Sequence, residues 1–108
     1  MELNRIKEQF SQVQQSINRA TQACQNDSSA ASELRDSVNE LGKRSDEARQ
    51  WVQHSEDEDA IRRCIDELEE RGDRAKRACE NSGGVNQQLK SAVLQAHKQI
   101  SDLKHQIH

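Results

Sequence analysis

Two of the three cysteines occupy equivalent places in a short internal repeat. The stretch RATQACQN, residues 19–26, returns in the second half of the chain as RAKRACEN, residues 74–81, and each copy carries a cysteine, Cys24 or Cys79. Two thiols could form a disulfide or contribute to a metal site, but a structural zinc site needs four nitrogen or sulfur ligands, and the sequence has no CxxC motif. Both cysteines fall on an apolar stripe, where free cysteine is a common small residue. We therefore predict that Cys24 and Cys79 are core residues, with a metal or redox site as the alternative.

The histidines and the other polar residues form no recognised catalytic pattern. A di-iron bundle requires Glu-x-x-His on its helices, and this spacing does not occur at His54, His97, His105 or His108. The sequence also lacks a P-loop, a dinucleotide fingerprint and a Ser/His/Asp set. We therefore predict histidines that are solvated or incidental, and a protein that is not an enzyme, with no catalytic residue, no cofactor and no metal.

Trp51 and the acidic run that follows it are the residues best suited to binding a partner. Trp51, the only tryptophan, stands next to Val52 but off the apolar stripe. It either closes one end of a bundle or anchors a partner, because tryptophan is common at interface hot spots. The acidic run either begins a helix, whose dipole favours negative charge there, or offers a docking patch to a basic partner. The candidate partner-binding residues are Trp51, Glu56, Asp57, Glu58 and Asp59.

The composition argues against several classes of protein. The 108 residues are 31% hydrophobic and 32% charged, with no proline and no tyrosine, which disfavours β-structure. The net charge of −3 mixes both signs and provides no basic face for nucleic acid. No apolar run approaches the roughly 20 residues of a membrane span. The opening MELNRIKEQF lacks the layout of a signal peptide, so we expect a cytoplasmic protein with reduced thiols.

The apolar residues recur in alternating steps of three and four along most of the chain. Two apolar positions in seven are typical of a coiled-coil seam, so the pattern predicts helices. The stripe consists of Leu3, Ile6, Phe10, Val13, Ile17, Ala20, Cys24, Ala31, Leu34, Val38, Leu41, Ser45, Ala48 and Val52, followed by Ile61, Ile65, Leu68, Gly72, Ala75, Cys79, Leu89, Val93, Ala96, Ile100, Leu103 and Ile107.

Three polar interruptions divide this stripe. In HSEDEDA, residues 54–60, Ser55 and Glu58 form a capping box that predicts the start of a new helix. NDSSA, residues 26–30, offers N-cap residues, and NSGG, residues 81–84, offers glycines for a left-handed C-terminal cap. The N-cap candidates are Asp27, Ser28 and Ser29, and the cap glycines are Gly83 and Gly84.

These patterns predict an all-α fold, an antiparallel four-helix bundle with coiled-coil-like heptads, built from two similar helical hairpins. Residues 1–108 would form a single domain with two internal repeats, about 1–54 and 56–108. The heptad register runs through 26–29 and 81–84 without a phase shift. The alternative is therefore a long two-helix hairpin that dimerises into a four-helix bundle.

The two folding schemes set large side chains beside small ones, as close packing requires. Folding about residue 56 places Leu41 beside Gly72 and Val38 beside Ala75. A second fold stacks the hairpins into four-residue layers, one of which contains Phe10, Ser45, Leu68 and Ile100.

The function that fits this sequence is a non-catalytic helical protein-interaction module, such as an adaptor, chaperone or regulator acting through its helix faces. One alternative is a small cysteine-based redox- or metal-responsive helical protein, and another is a structural coiled-coil segment. We expect a protein partner, which the sequence does not identify, or a homodimer, and neither nucleic acid nor membrane.

Overall fold

Each of the four uninterrupted stretches of the heptad pattern folds into one α-helix. The structure, a computed structural model, describes residues 3–83 and 85–107. The helices are α1 Leu3–Asn26, α2 Ser32–His54, α3 Glu58–Asn81 and α4 Gln87–Ile107. The all-α fold is therefore confirmed, and the long two-helix hairpin is wrong, because α1 ends at Asn26 and α3 at Asn81.

The helices form a four-helix bundle in which each one packs against two neighbours. Helix α1 packs on α2 and α4, and α3 packs on the same two helices, so α1 lies diagonally across from α3. The α1–α4 face and the α2–α3 face are consequently on opposite sides of the bundle. The Cα atoms span 42 × 21 × 17 Å, close to the ~36 Å expected for a straight helix of 24 residues.

The predicted stripe forms the core. From Ile6 onward every stripe residue is buried except Ala31, which is exposed because it caps α2 from outside the helix. Leu3 is partly buried and packs against the core. Ser45 is fully buried, and its hydroxyl has no hydrogen-bond partner among the described residues.

Two buried glycines mark places where helices approach one another closely. A Cβ on Gly72 would lie 3.4 Å from Ile100 Cδ1, so this position faces α4 and not Leu41 as predicted. Gly42, which is off the stripe, is also buried, and a Cβ there would lie 2.6 Å from Cγ2 of Thr21. The close contact between α1 and α2 at Gly42 was not predicted.

The turn between α1 and α2 does not cap α2 in the predicted way. Asp27 Oδ1 accepts hydrogen bonds from the Ser29 amide at 3.0 Å and from the Ser29 hydroxyl at 2.6 Å. These bonds close the turn itself. The N-cap of α2 is Ala31, with no side-chain hydrogen bond, so the predicted capping by residues 27–29 is wrong.

The predicted capping box at Ser55 and Glu58 is also wrong. Asp57 is the N-cap of α3, and its carboxylate accepts from the Asp59 amide at 3.0 Å. Ser55 Oγ instead accepts from the Asp57 amide at 3.1 Å, one step earlier in the turn. The aspartate lies closer to the first free amides of the helix than the serine does, and its charge also suits the helix dipole.

The C-terminal end of α3 does not use the predicted left-handed glycine. The C-cap Ser82 has extended backbone angles, and its hydroxyl donates to the Ala78 carbonyl at 2.8 Å. Gly83 does not adopt a left-handed φ. Gly84, the other predicted cap, lies outside the described residues. Within the described ranges, no helix combines the length and the apolar character needed to cross a membrane.

Candidate protein-docking surface

Trp51 lies on the surface near the C-terminal end of α2. Its neighbour Val52 is fully buried and Ala48 is almost fully buried. The indole of Trp51 therefore lies at the edge of the apolar stripe. The side chain is 61% exposed and is the only large hydrophobic side chain described as exposed. An indole in this position leaves a large apolar area in contact with water.

Trp51 forms one side of a groove of about 250 Å³ between α2 and α3. Small side chains, Ala48, Ala60 and Cys64, contribute to its lining, and charged side chains from both helices complete it. We call it the Trp51 groove, and its residues are Arg44, Glu47, Ala48, Trp51, Ala60, Arg63, Cys64 and Glu67.

The charges of the Trp51 groove are partly paired with one another. Arg44 Nη1 donates to Glu47 Oε2 at 2.9 Å, and Arg44 Nη2 donates to Glu67, linking α2 to α3. The buried Nε of Arg44 has no partner among the described residues. A side chain entering the groove therefore meets an arginine that its own ion pairs hold in place.

The acidic run, residues 56–59, begins five positions after Trp51, at the same end of the bundle. The Ser55 amide donates to the Trp51 carbonyl at 2.9 Å, which ties the turn to the end of α2. All four acidic side chains, at positions 56–59, are exposed. Asp57 caps α3, and Asp59 lies 3.7 Å from Arg62. Glu58 is the first residue of α3, where the helix dipole favours its charge, and Glu56 precedes the helix. Glu56 is therefore the acidic residue best placed to meet a partner, with Glu58 beside it.

The cysteines lie where the core prediction put them. Cys24 and Cys79 are buried at the C-terminal ends of α1 and α3, and both thiols are free. Burial raises the pKa of each thiol, which disfavours the nucleophilic and metal-binding thiolate. Burial likewise raises the pKa of the half-buried Cys64. No group of three or more His, Cys, Asp or Glu side chains in the described ranges could hold a metal ion.

The histidines are scattered over the bundle. His54 is exposed and lines a surface depression together with Trp51, and His105 is exposed near the end of α4. His97 is half-buried and hydrogen-bonds to Asp73, joining α4 to α3, so this histidine is not solvated. His108 lies outside the described residues.

The small lining residues of the Trp51 groove were missed at the sequence level. Ala60 and Cys64 lie four positions apart on α3, just beside the stripe, and Ala48 lies on the stripe itself. Small residues next to a seam indicate a groove between two helices, and this signal could have identified the site.

Comparison with protein-family models, with curated proteins and with solved structures found no match for this chain.

Proposed function

We propose that this protein is a non-catalytic helical interaction module that binds a protein partner at the Trp51 groove. The observation that carries the proposal is the exposed indole beside a groove with small lining residues. Interface hot spots are enriched in tryptophan and pair a large anchor with a pocket on the other side. Here the anchor and the groove are adjacent, so one partner segment can contact both.

The charges around the groove favour a partner segment with basic residues. Glu56 and Glu58 are exposed and follow Trp51 closely along the chain, and the cation paired with the acidic run is Arg62, which lies 3.7 Å from Asp59. A lysine or arginine of the partner could meet these carboxylates, or stack on the indole face as a cation–π pair. Charge complementarity of this kind raises association rates and selects among partners.

The decisive experiment is affinity capture from the native host, with Trp51→Ala as the test variant and Arg77→Ala as its control. Arg77 is exposed on α3, near the opposite end of that helix. We expect Trp51→Ala to weaken binding by at least about 2 kcal/mol, roughly thirty-fold, because truncating a hot-spot residue to alanine reduces the binding free energy by this much. Equal binding by both variants and the wild type would refute the proposal.

Charge reversal tests the chemistry of the partner separately. Glu56→Lys with Glu58→Lys should slow association and make it less sensitive to salt, since rim charges act mainly on the association rate. Neither residue is the N-cap, so we expect both variants to fold, with Glu58→Lys losing about 0.3–1 kcal/mol because it places a positive charge at the start of α3. An unchanged rate would show that the partner does not contact the acidic run.

The redox- or metal-responsive alternative is less well supported, because Cys24 and Cys79 are buried with raised pKa values. Metal analysis of protein purified without added metal distinguishes it from the interaction module. If the chain is instead a structural coiled-coil segment, Trp51→Ala should not reduce binding. A cytoplasmic location, two internal repeats and the lack of nucleic-acid or membrane partners stay predictions.

A further inference from the structure

The connections between α1 and α2 and between α3 and α4 lie together at one end of the bundle. The Asp27 carboxylate in the first connection accepts a hydrogen bond from the backbone amide of Asn86 in the second. The connection between α2 and α3 lies at the other end. Opening the first two connections would therefore separate the α1–α4 pair from the α2–α3 pair and leave the contacts inside each pair unchanged.

Both of these connections keep the heptad spacing, although α1 and α3 end where they begin. Asp27 lies three positions after Cys24 and four before Ala31, and Ser82 and Asn86 continue the second stripe in the same steps. A compact bundle does not need this spacing, because a turn of any sufficient length can join two helices. A continuous helix does need it, since one residue more or less would rotate the following stripe by about 100°.

The retained spacing allows two chains to exchange helix pairs. If both connections become helical, residues 3–54 form one long helix and residues 58–107 another. One half of this hairpin then lacks α2 and α3, and the other half lacks α1 and α4. A second copy, related by a two-fold axis perpendicular to the helices, supplies the missing pair to each half in the same directions. The helix contacts of the bundle are kept, with α1–α2 and α3–α4 now formed between chains.

The contacts between α1 and α2 give the level of the two-fold axis on the first long helix. The Gln14 side chain donates to the Asp46 carboxylate at 3.2 Å, and a Cβ on Gly42 would lie 3.9 Å from Thr21 Cβ. After exchange these contacts join two antiparallel copies of one helix, so the axis passes midway between the facing residues. Both midpoints fall within about one residue of Ala31, a small residue on the stripe.

On the second long helix the axis falls at Asn86. Lys104 donates to Glu69 at 2.8 Å, and the midpoint of this pair is within about one residue of Asn86. In the compact chain the Asn86 side chain accepts from the Gln88 amide at 2.8 Å at the start of α4. After exchange two Asn86 side chains would meet on the stripe at the axis, where each amide can donate to the other and accept from it. An asparagine at such a core position fixes the register of helical bundles.

Asp27 favours the compact chain over the exchanged one. Its carboxylate bonds to Ser29 within the turn, and Arg35 Nη2 donates to its carbonyl at 3.0 Å. In a continuous helix Asp27 would lie on the stripe at the level of Leu34 of the second copy. The carboxylate would then lose its partners in the turn and enter apolar surroundings, which is costly for a charged group.

We propose that two copies of this chain exchange their α2–α3 hairpins to form a domain-swapped dimer, a four-helix rod about 78 Å long. The long hairpin is not a fold of the single chain, and it forms only where a second copy completes both of its halves. High protein concentration therefore favours the dimer by mass action. The Trp51 groove lies between α2 and α3 of one chain and is present twice in the dimer, so this proposal and the proposed function can fail independently.

A disulfide between chains tests the exchange directly. The Cβ spacing of 3.9 Å at Thr21 and Gly42 suits a disulfide, for which about 3.5–4.5 Å is usual. In a background with Cys24, Cys64 and Cys79 replaced by alanine, one chain carries Thr21→Cys and another Gly42→Cys. The two chains are unfolded together in urea, refolded at roughly 1 mM and oxidised. We expect a covalent heterodimer, because α1 of one chain then packs on α2 of the other.

Two controls make this result decisive. A chain with both Thr21→Cys and Gly42→Cys, refolded at roughly 1 µM, should form the disulfide within the monomer, which shows that the geometry permits the bond. Thr21→Cys mixed with Arg49→Cys, which is exposed on α2, measures random oxidation. If the intrachain bond forms but the mixed chains give no more heterodimer than the Arg49→Cys control, the proposal is wrong.

Changes in the first connection should shift the dimer in opposite directions. Size-exclusion chromatography after refolding at a series of concentrations gives the apparent dissociation constant. Asp27→Ala removes the carboxylate from the stripe and should lower this constant at least about tenfold, whereas Asp36→Ala, at an exposed position on α2, should not change it. One glycine inserted after Ser29 lengthens the turn and rotates the stripe, so it should abolish the dimer and leave the helical circular dichroism of the monomer unchanged. A dimer that survives the insertion, or that Asp27→Ala and Asp36→Ala affect equally, would overturn the proposal.

Discussion

The two buried helical glycines should respond in opposite ways to the same substitution. Alanine in place of glycine inside a helix stabilises by about 1 kcal/mol through backbone propensity alone. At Gly72 the new Cβ would lie 3.4 Å from Ile100 Cδ1, an ordinary contact, so Gly72→Ala should keep this gain. At Gly42 the new Cβ would lie only 2.6 Å from Thr21 Cγ2, about 1 Å closer than carbon atoms normally approach.

The cost at Gly42 can be worked out from the two ways of relieving this contact. Separating α1 from α2 disturbs a packed core and costs about 1–3 kcal/mol. Rotating Thr21 breaks the bond from its hydroxyl to the Asn18 carbonyl, 2.8 Å long, which is worth about 1 kcal/mol. Either route cancels or exceeds the propensity gain. We therefore expect Gly42→Ala to be neutral or destabilising by up to about 2 kcal/mol.

Urea and thermal unfolding followed by circular dichroism measure this difference. The two variants should differ by at least about 1 kcal/mol, or about 4–8 °C in Tm for a domain of this size. Thr21→Ser removes the offending methyl group and keeps the hydroxyl. In that background Gly42→Ala should become stabilising by about 1 kcal/mol. If Gly42→Ala stabilises the wild type as much as Gly72→Ala does, α1 and α2 are not held at this distance and the reasoning is wrong.

Three further predictions concern the cysteines and the turns. Cys24→Ala with Cys79→Ala should stay folded, losing on the order of 1 kcal/mol per site from packing, and should keep any partner binding; lost binding with intact helicity would favour the redox or metal alternative. Hydrogen bonds from Ser29 hold the pKa of the Asp27 carboxyl below its ordinary value in the folded protein. The charged carboxylate therefore stabilises the fold at a pH above the pKa that Asp27 has in the unfolded chain. This stabilisation is lost as the pH falls through the lower pKa of the folded state. Asp27→Ala should therefore lower Tm at neutral pH, and the difference from wild type should shrink in acid; a constant difference would contradict this. Gly83→Ala should raise Tm slightly, because a Cβ there meets no atom within 4 Å, the φ is not left-handed, and alanine restricts the unfolded chain. A clear fall in Tm would show otherwise.

Much of the fold could be predicted because the heptad pattern alone identifies which side chains leave water. The steps of three and four placed Ile6, Leu34, Leu68 and Ile100 in the core, and all four are buried. The pattern did not reveal Gly42, because the distance between two helices depends on the residue facing the glycine across the interface. The packing of the bundle determines which residue faces the glycine, and the periodicity of a single helix does not contain this information.

The caps and the candidate docking surface were harder to predict, for different reasons. Three consecutive residues, 27–29, could each cap α2, and the local sequence does not decide which of them does. In the structure the Asp27 carboxylate bonds within the turn instead. Trp51 was identified because tryptophan off an apolar stripe is unusual. The enrichment of glutamine in two helices could have been found by counting, since 11 of the 13 glutamines belong to α1 and α4. Their meaning depends on those two helices being neighbours, which only the bundle shows.

The packing of α1 against α4 also bears on how fast and in what order the chain folds. The other three helix pairs join neighbours in sequence through short turns, whereas α1 and α4 are separated by the whole of α2 and α3. Local contacts form quickly, so each hairpin can form on its own, and the α1–α4 contact closes last. The chain has no proline, so no slow prolyl isomerisation delays this closure. In stopped-flow refolding at low protein concentration we expect a single phase of milliseconds or less, slowed more by Ala20→Gly in α1 than by changes in the turns; a phase of tens of seconds would contradict this.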